Sequence, residues 1–234
     1  MGCNMSNVAI IPARGGSKGI PKKNILSFCN KPLISWSITQ ALKAKSVDSV
    51  WVTSDCEEIL SVAKNHGART IKRPIDLASD NASSESAWIH ALEYIESKNI
   101  PVNLVIGMQA TSPLRSSRDL DLAVDLFHNE AADSMFTSFT IEDFFIWKQS
   151  EEGQLDGVNH DPVNRKPRQQ IEKNYLENGS FYLFRPEGIR RTNNRLHGRI
   201  RTFSMDGYKR FQIDSPEDLK LCETIMRGYG LDIL

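Results

Sequence analysis

The chain has 234 residues, with 29 Lys and Arg balanced by 29 Asp and Glu, and 40% of its residues are hydrophobic. This balance is typical of a globular protein, and it argues against nucleic-acid binders and polybasic membrane-surface proteins, which carry excess positive charge. No apolar run approaches the roughly 18 residues of a membrane span, and no signal-peptide pattern opens the chain. We therefore expect neither a nucleic-acid partner nor a membrane association.

The cysteines predict a reducing compartment. They lie far apart and form no CxxC pair, at Cys3, Cys29, Cys56 and Cys222. This spacing is typical of reduced thiols in a cytoplasmic protein rather than of a zinc site or a disulfide framework. The opening MGCNMS matches the N-myristoylation pattern. We favour the alternative, an unstructured start before the first strand, because the pattern is short.

Strand and helix patterns alternate through the first 138 residues. Short apolar runs predict strands at 8–13, 50–53, 68–72 and 104–109. Apolar residues at helical spacing predict helices at 32–45, 57–66, 84–97 and around 120–127. Such alternation is typical of right-handed βαβ crossovers, so we predict an α/β fold with a doubly wound, mostly parallel sheet.

Three loops of this predicted sheet are candidates for a ligand site. In such sheets, ligands bind beyond the carboxyl ends of the strands. The loops at 14–24, 73–84 and 109–115 each follow a predicted strand. We therefore expect them to gather at one edge.

The pattern changes after residue 139. Extended segments at 144–148 and 154–158 flank Glu151-Glu152-Gly153 and predict a hairpin, and the polar residues that follow have no clear period. Later strands are predicted at 180–184, 201–204 and 211–213, and a closing helix at 216–229. We predict a single domain over 1–234 with an inserted arm at 139–176.

The strongest chemical signal is the loop at 11–24, IPARGGSKGIPKKN, directly after the first predicted strand. Its glycines permit a tight turn that exposes backbone N–H groups to an anion. Its cations are Arg14, Lys18, Lys22 and Lys23, and no acidic residue occurs before position 48. Such a loop suits a triphosphate, although it is neither a Walker A motif nor GxGxxG. A solvated basic turn is the alternative.

Further blocks follow in chain order. They are RP at 73–74, LASDNASS at 77–84, QATSPLR at 109–115, PRQQ at 167–170, ENGSFY at 177–182 and ID at 213–214. Together with the basic loop, this series resembles the acylneuraminate cytidylyltransferases, or CMP-sialic acid synthetases, over nearly the whole chain. The resemblance implies a Rossmann-like nucleotidyltransferase fold. It also implies transfer of CMP from CTP to a nine-carbon 2-keto-3-deoxy acid sugar, with Mg²⁺ and with release of pyrophosphate.

The resemblance implies a nucleotide site built from the first two loops. Its residues are Ala13, Arg14, Gly16, Ser17, Lys23, Asn24, Arg73, Ala82 and Ser84. Arg14 and Lys23 are expected on the phosphates, where a bidentate guanidinium and a point ammonium suit non-bridging oxygens. With Asp214 they form the expected catalytic set. A plain helix N-terminus is the alternative for 82–84, and the two interpretations are compatible.

The resemblance draws the sugar site from later segments. Its residues are Gln109, Ser112, Arg168, Gln169, Asn178 and Tyr182. Structural alternatives remain for three of them. Gln109 is also explained as a strand-end hydrogen bonder, Arg168 as a surface arginine, and Tyr182 as a half-buried strand residue.

Asp214 is the candidate Mg²⁺ ligand, since Mg²⁺ takes one or two carboxylates together with phosphate oxygens and water. The family block usually ends in two aspartates at i and i+2, whereas this chain has Gln212 in the first position. An amide can hold a coordinated water by a hydrogen bond but brings no charge. The sequence therefore supports one metal ion and leaves a second open.

The arm at 139–176 departs from the sialic-acid enzymes. The family contributes this region to the active site of a dimer partner, and its aromatic residues, such as Phe144 and Trp147, fit an interface. We therefore expect a homodimer, with a hairpin packed on its own domain as the alternative. Altered residues here suit a related nonulosonic acid, such as legionaminic or pseudaminic acid.

Two other functions stay open. One is a nucleotidyltransferase for another sugar acid, such as Kdo, or for a purine triphosphate. The other is an inert nucleotide- or sugar-binding relative, which Gln212 suggests. No histidine falls in the matched blocks, so no general base is assigned.

Overall fold

The computed structural model describes residues 5–17, 19–79, 82–141, 144–171 and 173–233. The first four residues of the myristoylation pattern lie outside the described residues, as do Lys18 of the basic loop and Asp80 and Asn81 of the LASDNASS block. For Arg168 the backbone alone is described.

The described chain forms eleven strands and six α-helices. The strands are β1 (Ser6–Pro12), β2 (Ser27–Phe28), β3 (Lys31–Pro32), β4 (Ser49–Ser54), β5 (Arg69–Lys72), β6 (Val102–Met108), β7 (Ser134–Ile141), β8 (Trp147–Gln149), β9 (Leu155–Gly157), β10 (Asn174–Phe184) and β11 (Ile200–Ser204). The helices are α1 (Leu33–Lys43), α2 (Glu57–Asn65), α3 (Ser84–Ser97), α4 (Ser117–Asn129), α5 (Pro186–Thr192) and α6 (Pro216–Gly228). Short 3-10 helices lie at Lys23–Ile25, Ile75–Ala78, Arg168–Gln170, Gly207–Arg210 and Leu231–Ile233.

Seven of these strands form a central sheet in the spatial order β11-β7-β10-β6-β1-β4-β5. Neighbouring strands pair in parallel except at β10, which runs antiparallel to both β6 and β7. Helices α1, α2 and α4 pack on one face, and α3 and α5 pack on the other. The predicted α/β fold with a doubly wound, mostly parallel sheet is therefore confirmed.

The core lies on both sides of this sheet. Because successive side chains of a strand point to opposite faces, Ile11 enters one apolar cluster and Ile10 the other. Strands covered on both faces read as continuous apolar runs, as β1 and β6 do. A third cluster joins α1 to α6. Among the described residues, no helix is long and apolar enough to cross a bilayer.

Most predicted elements are confirmed, with bounds that differ by a few residues. The predicted hairpin is present as β8 and β9, which pair antiparallel. The predicted strand at 211–213 is wrong. There the Ile213 N–H donates to the carbonyl of Thr111, in a loop, and the Ile213 side chain enters the third cluster. Sequence patterns did not predict β7 or α5, and α5 is too short, at seven residues, to show a helical period.

The topology gathers the candidate loops at one edge of the sheet. The loop after β1, the loop after β5 and the loop after β6 all leave carboxyl ends of parallel strands. The antiparallel β10 begins at this same edge, where the Gln109 N–H donates to the Ser180 carbonyl at 3.1 Å. A site at this edge thus receives residues from distant parts of the chain.

Candidate active site

A pocket of about 520 Å³ opens at the carboxyl edge of the sheet. The three loops meet there, as predicted, together with the first turn of α3 and the segment before α6. The predicted site residues that line it are Arg14, Ser17, Lys23, Asn24, Arg73, Ala82, Ser84, Gln109 and Asp214. Residues separated by up to 200 positions thus share one pocket.

Among the predicted residues whose side chains are described, several others lie outside the pocket lining. Ala13 and Ser112 are buried beneath the loops. Gly16 lies in the basic loop, and among the described residues no atom outside its chain neighbours lies within 4 Å of the position that a Cβ would take. Arg168 and Gln169 lie in the short 3-10 helix of the arm, where Gln169 is exposed.

Asn178 and Tyr182 of β10 are buried supports rather than pocket residues. Asn178 accepts a hydrogen bond from Thr137 Oγ1 at 2.6 Å. The Tyr182 hydroxyl donates to Glu177, and its ring packs against Trp88, which does line the pocket. Burial, helped by Glu177, raises the pKa of Tyr182. This phenol therefore stays neutral in the wall behind the site.

The basic loop is fixed to the turn that follows β4. The Gly15 N–H donates to Asp55 Oδ1 at 3.0 Å. A Cβ on Gly15 would lie 3.0 Å from the Cβ of Cys56, so a larger residue at this position would push the loop outward. Glycine therefore suits the close approach of the loop to Cys56.

The cations of this loop diverge. Lys22 adopts a left-handed conformation, with φ of 52°, and its Nζ binds Glu58 of α2 at 2.7 Å. The next residue, Lys23, turns to the pocket, where its Nζ lies 2.8 Å from Asp214 Oδ1. Arg14 also lines the pocket and donates to the Ser79 carbonyl at 3.5 Å. Arg14 and Lys23 therefore face the site, and Lys22 braces the loop against α2.

Arg73 is a buried cation in the same pocket, with 5% of its side chain exposed. Burial lowers the pKa of its guanidinium, Asp55 raises it, and neighbouring Arg14 lowers it. Within the described residues its Nε has no hydrogen-bond partner. Two close guanidinium groups in a partly desolvated pocket favour a bound anion, which would offset their repulsion.

Asp55 is a residue that sequence patterns did not single out. Its Oδ1 receives the Gly15 N–H and lies 3.8 Å from Arg73 Nη2. This one carboxylate thus connects the basic loop to the buried arginine. Asp55 directly follows β4. That it lies beside the basic loop can be recognised only once the order of the strands in the sheet is known.

Arg115, like Asp55, supports the site in a way that sequence patterns did not reveal. Its side chain is 1% exposed, and it donates to the carbonyls of Gln109, Ser112 and Ser180, each at 2.8 Å. Burial lowers the pKa of its guanidinium to about 9, and Asp119 acts in the opposite direction, so it is cationic at neutral pH. It ties the loop of Gln109 to β10.

Of the residues that the structure describes, Asp214 is the one that brings a carboxylate to the pocket lining. Its side chain is 70% exposed, and its carboxylate already forms an ion pair with the Lys23 ammonium. Among the described residues, no group of three or more His, Cys, Asp or Glu side chains could hold a metal ion. A hard cation at Asp214 would therefore need phosphate oxygens and water as further ligands. These residues fit a metal that arrives with a nucleotide.

The chain is similar in sequence to known cytidylyltransferases. A family model of cytidylyltransferases matches residues 8–231. The chain is 35% identical to the pseudaminic acid cytidylyltransferase of Campylobacter jejuni, over 76% of this chain and 78% of the relative. It is 38% identical to N-acylneuraminate cytidylyltransferase A of Danio rerio, over 77% of this chain. The match spans 42% of that fish protein, which is less than half of its length.

Solved structures show the same fold. CMP:2-keto-3-deoxy-manno-octonic acid synthetase, solved with CTP, superposes with a TM-score of 0.70 at 18% identity, over 96% of this chain and 99% of the other. A 4-diphosphocytidyl-2C-methyl-D-erythritol synthase superposes with a TM-score of 0.67 at 12% identity, over 95% and 100%. The matched family model and the relatives in sequence together show that the chain belongs to the cytidylyltransferase family.

Proposed function

We propose that this protein activates a nonulosonic acid of the sialic type with CTP, giving the CMP-sugar and pyrophosphate. The observation that supports this most is the convergence of Arg14, Lys23 and Arg73 on one pocket at the carboxyl edge of the sheet. Three cations from two loops suit the triphosphate of a nucleotide. Relatives named as N-acylneuraminate and pseudaminic acid cytidylyltransferases support the choice of acid sugar.

The phosphates are assigned to Arg14 and Lys23. In the reaction the anomeric hydroxyl of the sugar attacks the α-phosphorus and loses its proton to water, and the bond from this phosphorus to the bridging oxygen breaks. Negative charge then increases on the departing pyrophosphate. Fixed cations stabilise that charge in the transition state more than in the ground state, which lowers the barrier. The side chain of Lys23 is 15% exposed, so its charge is only partly screened by water.

The rest of the nucleotide is assigned to Asn24, Arg73 and the start of α3. Ala82, Ser83 and Ser84 line the pocket at this helix N-terminus, and the Ser83 hydroxyl caps the helix by accepting the Ser86 N–H at 3.1 Å. Backbone N–H groups and the helix dipole at such a terminus favour polar, electron-rich groups. The short side chains leave room for a ring.

The acid sugar is assigned to Gln109 in the same pocket and to Arg168 and Gln169 from the arm. Gln109 lines the pocket, and Arg115 fixes its backbone. Gln169, whose side chain is described, lies outside the lining of the pocket in its own chain, and Arg168 is its neighbour in the arm. We therefore place them at the site of a second copy of the chain, where Arg168 would bind the carboxylate of the sugar.

Mg²⁺ is assigned to Asp214, with phosphate oxygens of CTP and water completing its ligands. When bound, the ion would neutralise phosphate charge and orient the nucleotide. Asp214 contributes one carboxylate, and Lys23 is the residue that holds this carboxylate in the free protein. We place the enzyme in the cytoplasm, since Cys29, Cys56 and Cys222 are free thiols.

The test of this function is pyrophosphate release from CTP and Mg²⁺ with N-acetylneuraminate, legionaminate, pseudaminate and Kdo as separate acceptors. We expect release with one of the three nonulosonic acids and with CTP in preference to GTP, ATP or UTP. Release with Kdo alone would contradict the substrate class. CTP binding without release for every acid would contradict the enzymatic proposal.

The proposed dimer makes a separate prediction. The arm exposes apolar side chains, among them Phe144 at 58% and Leu155 at 56%, beside a cavity of about 610 Å³. Exposed apolar patches of this kind mark interaction surfaces. Phe144→Asp should convert the dimer to a monomer in sedimentation velocity. The matched change Leu221→Asp, an exposed apolar residue of α6, should leave the dimer intact. A monomeric wild-type protein would contradict this assignment.

A further inference from the structure

Gln212 has a defined contact that its place in the sequence does not reveal. Its Nε2 donates to the backbone carbonyl of Asn178 in β10, at 2.6 Å. The amide is therefore used as a hydrogen-bond donor to the sheet. An ionised carboxylate has no proton to donate, so the aspartate usual at this position could not make the same contact.

The backbone of β10 is shaped to receive this amide. Gly179 adopts a φ of +63°, and a Cβ there would lie 2.6 Å from Gln212 Nε2. A side chain at 179 would thus occupy the space that the amide fills. The pairing of β10 with β7 shifts register between Glu177 and Tyr182, so Gly179 lies within an irregularity of the strand. Such irregularities redirect backbone groups next to functional sites.

The acceptor is itself held firmly. Asn178 is 3% exposed, and its Oδ1 accepts hydrogen bonds from Thr137 Oγ1 at 2.6 Å and from the Ser180 N–H at 3.1 Å. The Asn178 carbonyl therefore has little freedom to move. A donor bound to it is fixed relative to the sheet.

The same contact places Asp214. After Gln212, the Ile213 N–H donates to the Thr111 carbonyl at 2.9 Å, and Asp214 then meets Lys23 at 2.8 Å. Three successive residues thus attach to β10, to the loop after β6 and to the basic loop. Loss of the first attachment would free the segment that carries the pocket carboxylate.

We propose that Gln212 is a positioning residue that fixes Asp214 through its hydrogen bond to Asn178, and that it is not itself a metal ligand. This inference rests on the proposed function, because it concerns the carboxylate assigned to Mg²⁺. A carboxylate at position 212 would face the Asn178 carbonyl oxygen, and two acceptors would repel each other. One carboxylate therefore serves the metal in this chain.

The test uses three substitutions and a control. Gln212→Glu keeps the length and removes the donor, Gln212→Asp restores the usual family residue, and Gln212→Met removes the donor without adding charge. Asn129→Asp, at an exposed position in the last turn of α4, outside the arm and the pocket lining, controls for an added negative charge. The readouts are Mn²⁺ binding to the protein–CTP complex in the absence of sugar, the Mg²⁺ dependence of pyrophosphate release, and thermal unfolding.

We expect all three Gln212 variants to weaken Mn²⁺ binding by about fivefold, the size of one lost hydrogen bond, and to need more Mg²⁺ for half-maximal turnover. The control should match the wild type. Tighter Mn²⁺ binding in Gln212→Glu or Gln212→Asp would overturn the proposal, as would unchanged metal binding in all three variants. A wild-type protein that does not bind CTP would instead contradict the proposed function. If the acidic variants fail to fold, Gln212→Met carries the test alone.

Discussion

Replacing Lys23 by methionine is expected to lower kcat/KM for CTP by roughly 10²- to 10³-fold, the effect of removing one fixed donor from developing charge. The Lys23 ammonium lines the pocket and is largely withdrawn from solvent, so water replaces it poorly. Methionine keeps the length of the side chain. Because the Asp214 end of the ion pair is exposed, the pair adds little to stability, and the melting temperature should change little.

Lys22→Met is the matched control for this experiment. The two lysines are adjacent in sequence, yet Lys22 binds Glu58 on α2, away from the pocket lining. Its loss should therefore change pyrophosphate release by less than about threefold, the size of an exposed ion pair. Similar losses in both variants would indicate a general electrostatic effect of the loop. A wild-type rate for Lys23→Met would remove this lysine from the reaction.

The first half of the fold was predictable from local patterns alone. Apolar spacing reports directly which side of a helix or strand is buried, and the alternation up to α4 has one simple topology. The same reasoning failed at 211–213, where the apolar residue is buried but its backbone bonds to a loop. Burial alone does not distinguish a strand from a fixed coil.

The pocket was predictable in outline because its loops follow parallel strands. The direction of each side chain was not. Lys22 and Lys23 look equivalent in the sequence, and the left-handed backbone at Lys22 separates them. Gln212 looks like a weakened metal ligand, yet it donates to a carbonyl brought near by the antiparallel β10. Contacts of this kind depend on strand order, which local patterns do not encode.

The contacts of the two charged residues that support the pocket, Asp55 and Arg115, also depend on strand order. Asp55 and Arg115 connect loops that are far apart in the chain, and both lie outside the pocket lining. Arg115 is part of a recognisable block, so its presence could be noted, but its burial could not. Preorganised sites need such supports, because a group that stabilises a transition state must not have to move into place.

A second large effect is expected from substitution of Asp214, which forms an ion pair with Lys23. In the free protein these two charges neutralise each other at the pocket edge. Asp214→Asn removes the carboxylate assigned to Mg²⁺ and leaves Lys23 without this partner. Turnover and CTP affinity should therefore move in opposite directions, which general damage to the site would not produce.

For Asp214→Asn we expect pyrophosphate release at the Mg²⁺ concentration that half-saturates the wild type to fall by about 10²-fold or more, with half-maximal turnover shifted to higher Mg²⁺, since a metal site contributes several kcal/mol to such reactions. In the absence of metal, CTP should bind equally well or more tightly, because one negative charge near the phosphates is gone. Glu217→Gln, an exposed acid in the first turn of α6, is the matched control and should change neither quantity. Steady-state kinetics and calorimetric titration with CTP in EDTA measure the two effects separately. Parallel losses of turnover and metal-free CTP binding would show that Asp214 supports the nucleotide itself, and an unchanged Mg²⁺ titration would remove it from the metal site.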